Sequence, residues 1–474
     1  MQLPAWGDCL TITQAQDVRK SYLEPEIMKQ LKRNSMKSIR TLLLTITSVL
    51  LWGYSAPALA QSVTPDSLSL QDAIQAALTN QPSLDQVEAE IDAAGAGVND
   101  AKTNYYPHVD ASGSYGYVNP VSALDFNGNS FQVMPNNNYD AHLEAQQMIY
   151  DFGKTKESIA LARSKTLTAE QRSEVVKWTI SYFTAQTFYS KLYLKQSAHV
   201  IDNQLKTLNE DLDIAQKKLK NGSATNYDVL SIKVRIAEEN NRRLDLLNQE
   251  EKLDIRLRKL FGWSPDREVN LSGKLVLKNE NVARNLSDIY TDRPDYKVLQ
   301  RQKEELQHAY KLKDLLDRPS LSAGATAGFK NGYQPDIKEL LGNYSIGLHL
   351  EVPIFNAPAT KYQKQEVQAR IRSLQAESRK LQRNIQQQVE VAKADVQTGR
   401  QKLETADLQI KQAREQLKLA KLRYKNGVIT NTDLLAAETA LTRARFQKVT
   451  TTYNILLSQY DLKKAKGEKI WMNK

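Results

Sequence analysis

The sequence predicts a mainly α-helical protein with a smaller membrane-type β part, built as an internal tandem repeat. Three observations carry that prediction. Two proline-free runs, Lys154 to Leu219 and Ala359 to Tyr424, would each reach about 100 Å as a helix at about 1.5 Å per residue, too long for a compact domain. The stretch Lys220-Asn221-Gly222-Ser223-Ala224-Thr225-Asn226-Tyr227-Asp228-Val229-Leu230 returns as Lys425-Asn426-Gly427-Val428-Ile429-Thr430-Asn431-Thr432-Asp433-Leu434-Leu435. Finally, the apolar period changes from helical to two at matching places in both halves, just past Pro107 and Pro319.

The chain opens with residues 1–35, which carry no interpretable signal and are expected to be a leader or an over-extended start before Met36. Met36-Lys37-Ser38-Ile39-Arg40 is a basic n-region, Thr41 to Trp52 an apolar core, and Ala58-Leu59-Ala60 a small-x-small cleavage site. Residues 36–60 thus read as a secretory signal peptide, with an uncleaved anchor as the alternative. The first repeat is expected over 61–262, an inter-repeat connection over 263–284 and the second repeat over 285–474. Ser69 and Asp72 suggest a capped short helix that stops before Asn80-Gln81-Pro82. Pro82 and Pro294 then open two further helices that halt near Pro107 and Pro319, since proline is tolerated in a first turn and disfavours helix in the residue before it.

Four strands are expected in two hairpins, 108–150 and 320–354. Val109, Ala111, Gly113, Tyr115 and Tyr117 alternate with Asp110, Ser112, Ser114 and Gly116; Leu321, Ala323, Ala325, Ala327 and Phe329 alternate with Ser322, Gly324, Thr326 and Gly328. The returning strands place Tyr139, Ala141, Leu143 and Ala145, and Tyr344, Ile346, Leu348, Leu350 and Val352, on one face. Polar loops are expected over 119–138 and 330–343. Strands of this length suit a tilted bilayer crossing, and hairpins packed on a soluble core are the alternative. Four strands cannot close a barrel alone, so a membrane location requires several chains to pool them.

Each Gly-containing motif reads as the tight tip of a helical hairpin. Glycine ends a helix in the left-handed conformation, and Thr225 with Asp228, or Thr430 with Asp433, can cap the next. The returning helices, about 224–261 and 430–466, are shorter than their partners. The helices beginning at Pro82 and Pro294 are expected to stack end to end on them, at Gly262 and Gly467, to complete the pairing.

Composition narrows the functions. From residue 61 onward there are 58 basic and 50 acidic residues, a net +8, interleaved rather than massed, so no nucleic-acid partner is expected. The only cysteine is Cys9, so thiol chemistry is absent after the leader. His108, His142, His199, His308 and His349 form no paired ligand spacing, and no P-loop, dinucleotide fingerprint or nucleophile elbow occurs. No enzyme activity, metal or cofactor is expected, and the abundant helical carboxylates read as solvated surface.

The doubled Gly-x-x-Thr-x-x-Asp-(Val/Leu)-Leu tips, the Asn-Gln-Pro and Asp-Arg-Pro openings, the paired hairpins and the two long proline-free helices together resemble the TolC family of outer-membrane channel proteins. The resemblance implies a homotrimer in the outer membrane of a Gram-negative bacterium, with a twelve-stranded barrel in the lipid and a helical tube in the periplasm. It implies the exit duct of a tripartite efflux pump or a type I secretion system. The partners would be a periplasmic adaptor (membrane fusion) protein and an inner-membrane transporter of RND, ABC or MFS type.

Carried over by position, Gly222, Thr225, Asp228, Gly427, Thr430 and Asp433 form the periplasmic tip and adaptor contact, and Asp433, Asp228 and Tyr424 the entrance gate. Ala436 and Ile429 replace an often acidic residue and a latch arginine of the family, so the expected acidic ring is single. Simple helix capping is the alternative role for Asp228 and Asp433. A periplasmic coiled-coil scaffold or adaptor protein is the alternative for the whole chain.

Overall fold

The computed structural model describes residues 67–126, 129–277 and 286–472. The expected leader and signal peptide lie outside these residues, as do 278–284 of the inter-repeat connection and residue 285 of the second repeat.

Helix α1 (Leu70–Thr79) is fixed by a capping box in which Ser69 and Asp72 bond each other's backbone N–H. Helix α2 (Pro82–Thr103) follows with proline in its first turn. Strands β1 (His108–Tyr117), β2 (Ala123–Phe126), β3 (Asn129–Gln132) and β4 (Asn137–Tyr150) lead into α3 (Lys154–Lys220). Helix α4 (Asn226–Phe261) returns along α3. The second half repeats the order with α5 (Leu286–Asp292), α6 (Pro294–Asp314), β5 (Ser320–Lys330), β6 (Leu341–Glu351), α7 (Ala359–Lys425) and α8 (Asn431–Ala465). The polar loop expected over 119–138 contains the small β2–β3 hairpin. Strand β4 also runs five residues beyond the alternation ending at Ala145, through a register shift between Met148 and Tyr150.

The four long strands form one antiparallel sheet in the order β1-β4-β5-β6. The helices keep the same lateral order. Below the sheet, α2, α3, α6 and α7 lie side by side; toward the tips the order is α4, α3, α8, α7. The wall therefore has four staves: α2 stacked on α4, the continuous α3, α6 stacked on α8, and the continuous α7.

Two glycines mark the stacked joints. Gly262 (φ +66°) ends α4, and a Cβ added there would lie 2.9 Å from Asn80 Cβ, just before α2 begins. Gly467 (φ +73°) follows α8, and its Cβ would lie 2.9 Å from Arg293 Cα, at the head of α6. Only glycine combines a left-handed turn with so close a backbone approach.

The largest core forms a belt at this level. Ala73 and Ala77 of α1, Phe188 and Leu192 of α3, and Leu257 and Phe261 of α4 pack with Val269 and Leu271 of the connecting segment. Leu68 and Leu271 pair as a short parallel bridge. Lys191 is buried within the belt, where its ammonium donates to Asp254 Oδ1 and to the Val269 carbonyl, each at 2.5 Å. A buried ammonium held by a carboxylate and a carbonyl fastens α3 to both α4 and the connecting segment. Near the C-terminus, Ile470 packs against Ile74, Trp178 and Tyr182, and Lys469 pairs with Glu174.

Candidate functional site

Both hairpin tips are built alike. The chain leaves α3 through Asn221 and Gly222 (φ +71°), where Ser223 N–H donates to the Lys218 carbonyl at 2.8 Å and Gly222 N–H to Leu219 at 3.0 Å. It leaves α7 through Asn426 and Gly427 (φ +74°), with Val428 N–H donating to Arg423 at 2.9 Å and Gly427 N–H to Tyr424 at 3.1 Å. These paired bonds are the Schellman closure that a left-handed glycine permits. Thr225 then caps α4 and Thr430 caps α8. Asp228 Oδ2 accepts from Thr225 N–H at 2.8 Å and its hydroxyl at 2.7 Å; Asp433 Oδ2 accepts from Thr430 N–H at 3.0 Å and its hydroxyl at 2.7 Å. Both aspartates thus serve as capping-box acids. The Thr430 hydrogen bonds hold the fully exposed Asp433 carboxyl below the usual carboxylate range.

Between the two tips, the structure brings Tyr424 and Asp228 together and adds residues the sequence did not single out. Lys218 of α3 places its ammonium 4.0 Å from the Tyr424 ring centroid and donates to the Tyr424 carbonyl at 3.3 Å. Buried Asn431 donates to the Asp228 carbonyl at 3.2 Å. Burial, followed by the nearby charges of Asp228 and Asp211, raises the Tyr424 hydroxyl above its ordinary value. Asp433 stays exposed at the head of its own helix.

Two carboxylates depart from the solvated surface expected of them. Glu239 of α4 is fully buried between Arg235 at 3.0 Å and Arg242 at 3.1 Å, and Glu438 of α8 is only 1% exposed. Sequence periodicity along one helix does not reveal what a neighbouring helix covers.

In the sheet, cross-strand partners Val109–Ala145, Ala111–Leu143, Ala145–Ala325, Ala325–Ile346 and Ala323–Leu348 join into one apolar face across all four strands. Tyr115, Tyr139, Phe329 and Tyr344 lie toward one end of the strands, and Tyr105, Tyr106, Tyr150 and Phe152 lie exposed at the other. An apolar band between two aromatic girdles is the exterior of a membrane barrel. The opposite face is polar: Ser112 and His142 Nε2 are 2.9 Å apart, His142 Nδ1 and Asp140 2.6 Å, and Thr326 and Ser345 2.7 Å. Although Ser112, His142 and Asp140 stand in the atom order of a hydrolytic triad, they form a cross-strand polar ladder with Lys330, whose ammonium lies 3.4 Å from Asp140. Among the described residues no helix is long and apolar enough to cross a membrane, and no acidic, histidine or cysteine cluster could hold a metal ion.

Four staves continued by four membrane strands, with both lateral edges open, define one segment of the wall of a membrane channel. The chain belongs to the outer membrane efflux protein family, whose profile matches residues 73–263 and 285–468. Its place is therefore the outer membrane, and its family is one of channels rather than enzymes. Among solved structures, the outer membrane protein VceC of Vibrio cholerae is 19% identical, with a TM-score of 0.70 over 84% of this chain and 96% of that one. The Campylobacter jejuni CmeC outer membrane channel is 18% identical, with a TM-score of 0.71 over 85% and 87%. The open state of the Neisseria gonorrhoeae MtrE outer membrane channel is 18% identical, with a TM-score of 0.69 over 85% and 89%. These likenesses establish a shared fold, and no curated protein matches the chain by sequence.

Proposed function

We propose that three copies of this chain close into a channel-tunnel that serves as the exit duct of a tripartite efflux pump or type I secretion system. The observation that carries this reading is the pair of open edges. Strand β1 and the α2/α4 stave bound one side of the wall, while β6 and α7 bound the other. An edge-to-edge contact between unlike sides is heterologous and closes into a ring by rotation.

The edge helices carry matching apolar stripes. On α4, Val229 and Ile232 are buried, while Tyr227, Leu230 and Val234 lie exposed on the opposite side at about 100° per residue. On α7, Ala406 and Ala413 are buried, and Leu408, Leu419 and Leu422 lie exposed on the opposite side. Counted from the tip glycines Gly427 and Gly222, Leu422 and Leu419 stand level with Tyr227 and Leu230. Burying an exposed Leu or Val contributes roughly 1.5–3 kcal/mol, so joining the stripes stabilises the ring. Twelve staves spaced about 10 Å apart would form a ring about 38 Å across, wide enough to leave a water-filled bore. The polar sheet face would line the bore within the membrane.

In this reading Gly222, Thr225, Asp228, Gly427, Thr430 and Asp433 form the periplasmic tip that meets an adaptor (membrane fusion) protein, and Tyr424, Asp228 and Asp433 form the entrance gate. An inner-membrane transporter of RND, ABC or MFS type supplies the energy. The capping boxes give the gate aspartates a fixed position: each carboxylate is tied to its own helix head, where charge repeated around a threefold axis would favour cations.

The test is a cysteine pair, Leu230→Cys with Leu419→Cys, in protein extracted from outer membranes. Oxidation should yield a covalent ladder ending at three subunits, with each single variant giving none. Only intramolecular products, or a ladder ending at two, would refute the ring.

A further inference from the structure

We propose that Asp211, Glu438 and Lys421 form a proton-controlled catch, which joins the two hairpins of each subunit while it holds a proton and releases them when the proton leaves. The inference extends the duct reading to its regulation and rests on it only for the consequence at the pore.

Glu438 lies on α8 facing Asp211 of α3, within the contact between the second hairpin and the first. It is 1% exposed, yet neither carboxylate oxygen makes a hydrogen bond of ordinary geometry, the Lys421 ammonium standing off at 3.5 Å in an ion pair, and Asp211 Oδ2 is likewise buried without a donor. Two carboxylates in that position cannot satisfy each other while both are ionised. With one proton between them, one becomes the donor and the other the acceptor, and the contact is satisfied.

The surrounding charges do not replace that proton. From α7, the Lys421 ammonium stands 3.5 Å from Glu438 Oε1, and Tyr424 nearby is held in its neutral form by burial and by Asp211. From α4, Arg235 reaches Thr439, the next residue, at 3.3 Å, but its guanidinium is already paired with Glu238 at 2.8 Å and Glu239 at 3.0 Å. Asp433 is committed to Thr430 at the helix head. Lys421 can balance one of the two carboxylates, which leaves the other for the proton.

Burial, followed by the Asp211 hydrogen bond and charge, pushes the Glu438 carboxyl up to about 8, against Lys421's opposing pull. Because the value is raised, the joined form binds more protons than the released form. The joint is complete below the ordinary carboxylate value and is lost as pH rises through about 8. Between those limits each pH unit shifts the ratio of joined to released hairpins by up to about tenfold per subunit.

The experiment measures spin-label distances between Asn221→Cys and Asn426→Cys on the assembled full-length protein, from about pH 6 to about pH 9.5, alongside bilayer conductance. The expected result is a lengthening through about pH 8 that disappears in Glu438→Gln, which mimics the protonated acid, and moves to lower pH in Asp211→Asn. Should Glu438→Gln fail to fold, the shift in Asp211→Asn and loss of the protonated-carboxyl infrared band with rising pH carry the test. A pH-independent distance in the parent protein, or a transition that persists unchanged in the variants, would overturn the proposal. A distance change without a conductance change would leave the catch standing and refute its role in the duct.

Discussion

Substituting Gly467 and Gly427 separately with alanine isolates the energetics of the end-to-end joint. The two glycines have nearly the same backbone angle, φ +73° and +74°, so alanine incurs the same left-handed penalty at each, about 1–2 kcal/mol. Around Gly427 nothing lies within 4 Å of an added Cβ. At Gly467 the new carbon would stand 2.9 Å from Arg293 Cα, 3.0 Å from Arg293 N and 3.1 Å from Asp292 C, all backbone atoms that no rotamer change can move. Ordinary carbon contacts lie at about 3.5–4 Å, so the head of α6 must retreat by roughly 0.5–1 Å.

Arg293 resists that retreat: it is 3% exposed, chelates Asp295 at 2.9 and 2.6 Å, and donates to Gln388 at 2.9 Å. Overpacking of this kind adds about 1–3 kcal/mol. Gly467→Ala should therefore destabilise by about 2–5 kcal/mol, and Gly427→Ala by no more than about 2. Urea unfolding of the detergent-solubilised assembly checks this by tryptophan fluorescence, with Trp178 lying 4.7 Å from the Arg293 guanidinium. Equal losses in the two variants would show that the joint is not in contact and that the stave is not continuous.

Two other perturbations probe the belt and the proposed gate. Lys191→Ala should cost about 3–5 kcal/mol, because the partly buried Asp254 and the Val269 carbonyl would lose their cation; Lys191→Met with Asp254→Leu should recover most of it in the same urea assay. Asp433→Ala should lower cation preference in bilayer conductance, and unchanged selectivity would remove Asp433 from the gate. Since Thr430 holds the Asp433 carboxyl low, its charge and its cap persist above the ordinary carboxylate value and are lost only as pH falls through the lowered one.

Much of this architecture was legible in the chain because its signals are local. Pro82 and Pro294 fix helix starts through their own ring geometry, Gly222 and Gly427 fix turns through their own φ, and the strand alternation needs only neighbouring residues. The equal spacing of Gly222 to Gly262 and Gly427 to Gly467 even pointed to the joints. What stayed hidden depends on which helix lies beside which. Glu438 reads as one more surface carboxylate until α3 and α7 cover it, and Lys191 looks solvated until Asp254 and Val269 arrive from elsewhere. The β2–β3 hairpin has no legible signal because its strands are four residues each and lie within a polar stretch.

The alternation of whole and divided staves gives the wall a mechanical character. In α3 and α7, a hydrogen-bonded backbone runs unbroken from the sheet to the tips, so flexing them must distort that ladder. At Gly262 and Gly467 the abutting rods share no covalent link across the junction, so shear there disturbs non-bonded contacts and, at Gly467, the Arg293 hydrogen bond to the Ala465 carbonyl. Compliance is thus concentrated at the mid-height of the wall, where the half toward the tips can tilt while the sheet keeps its register.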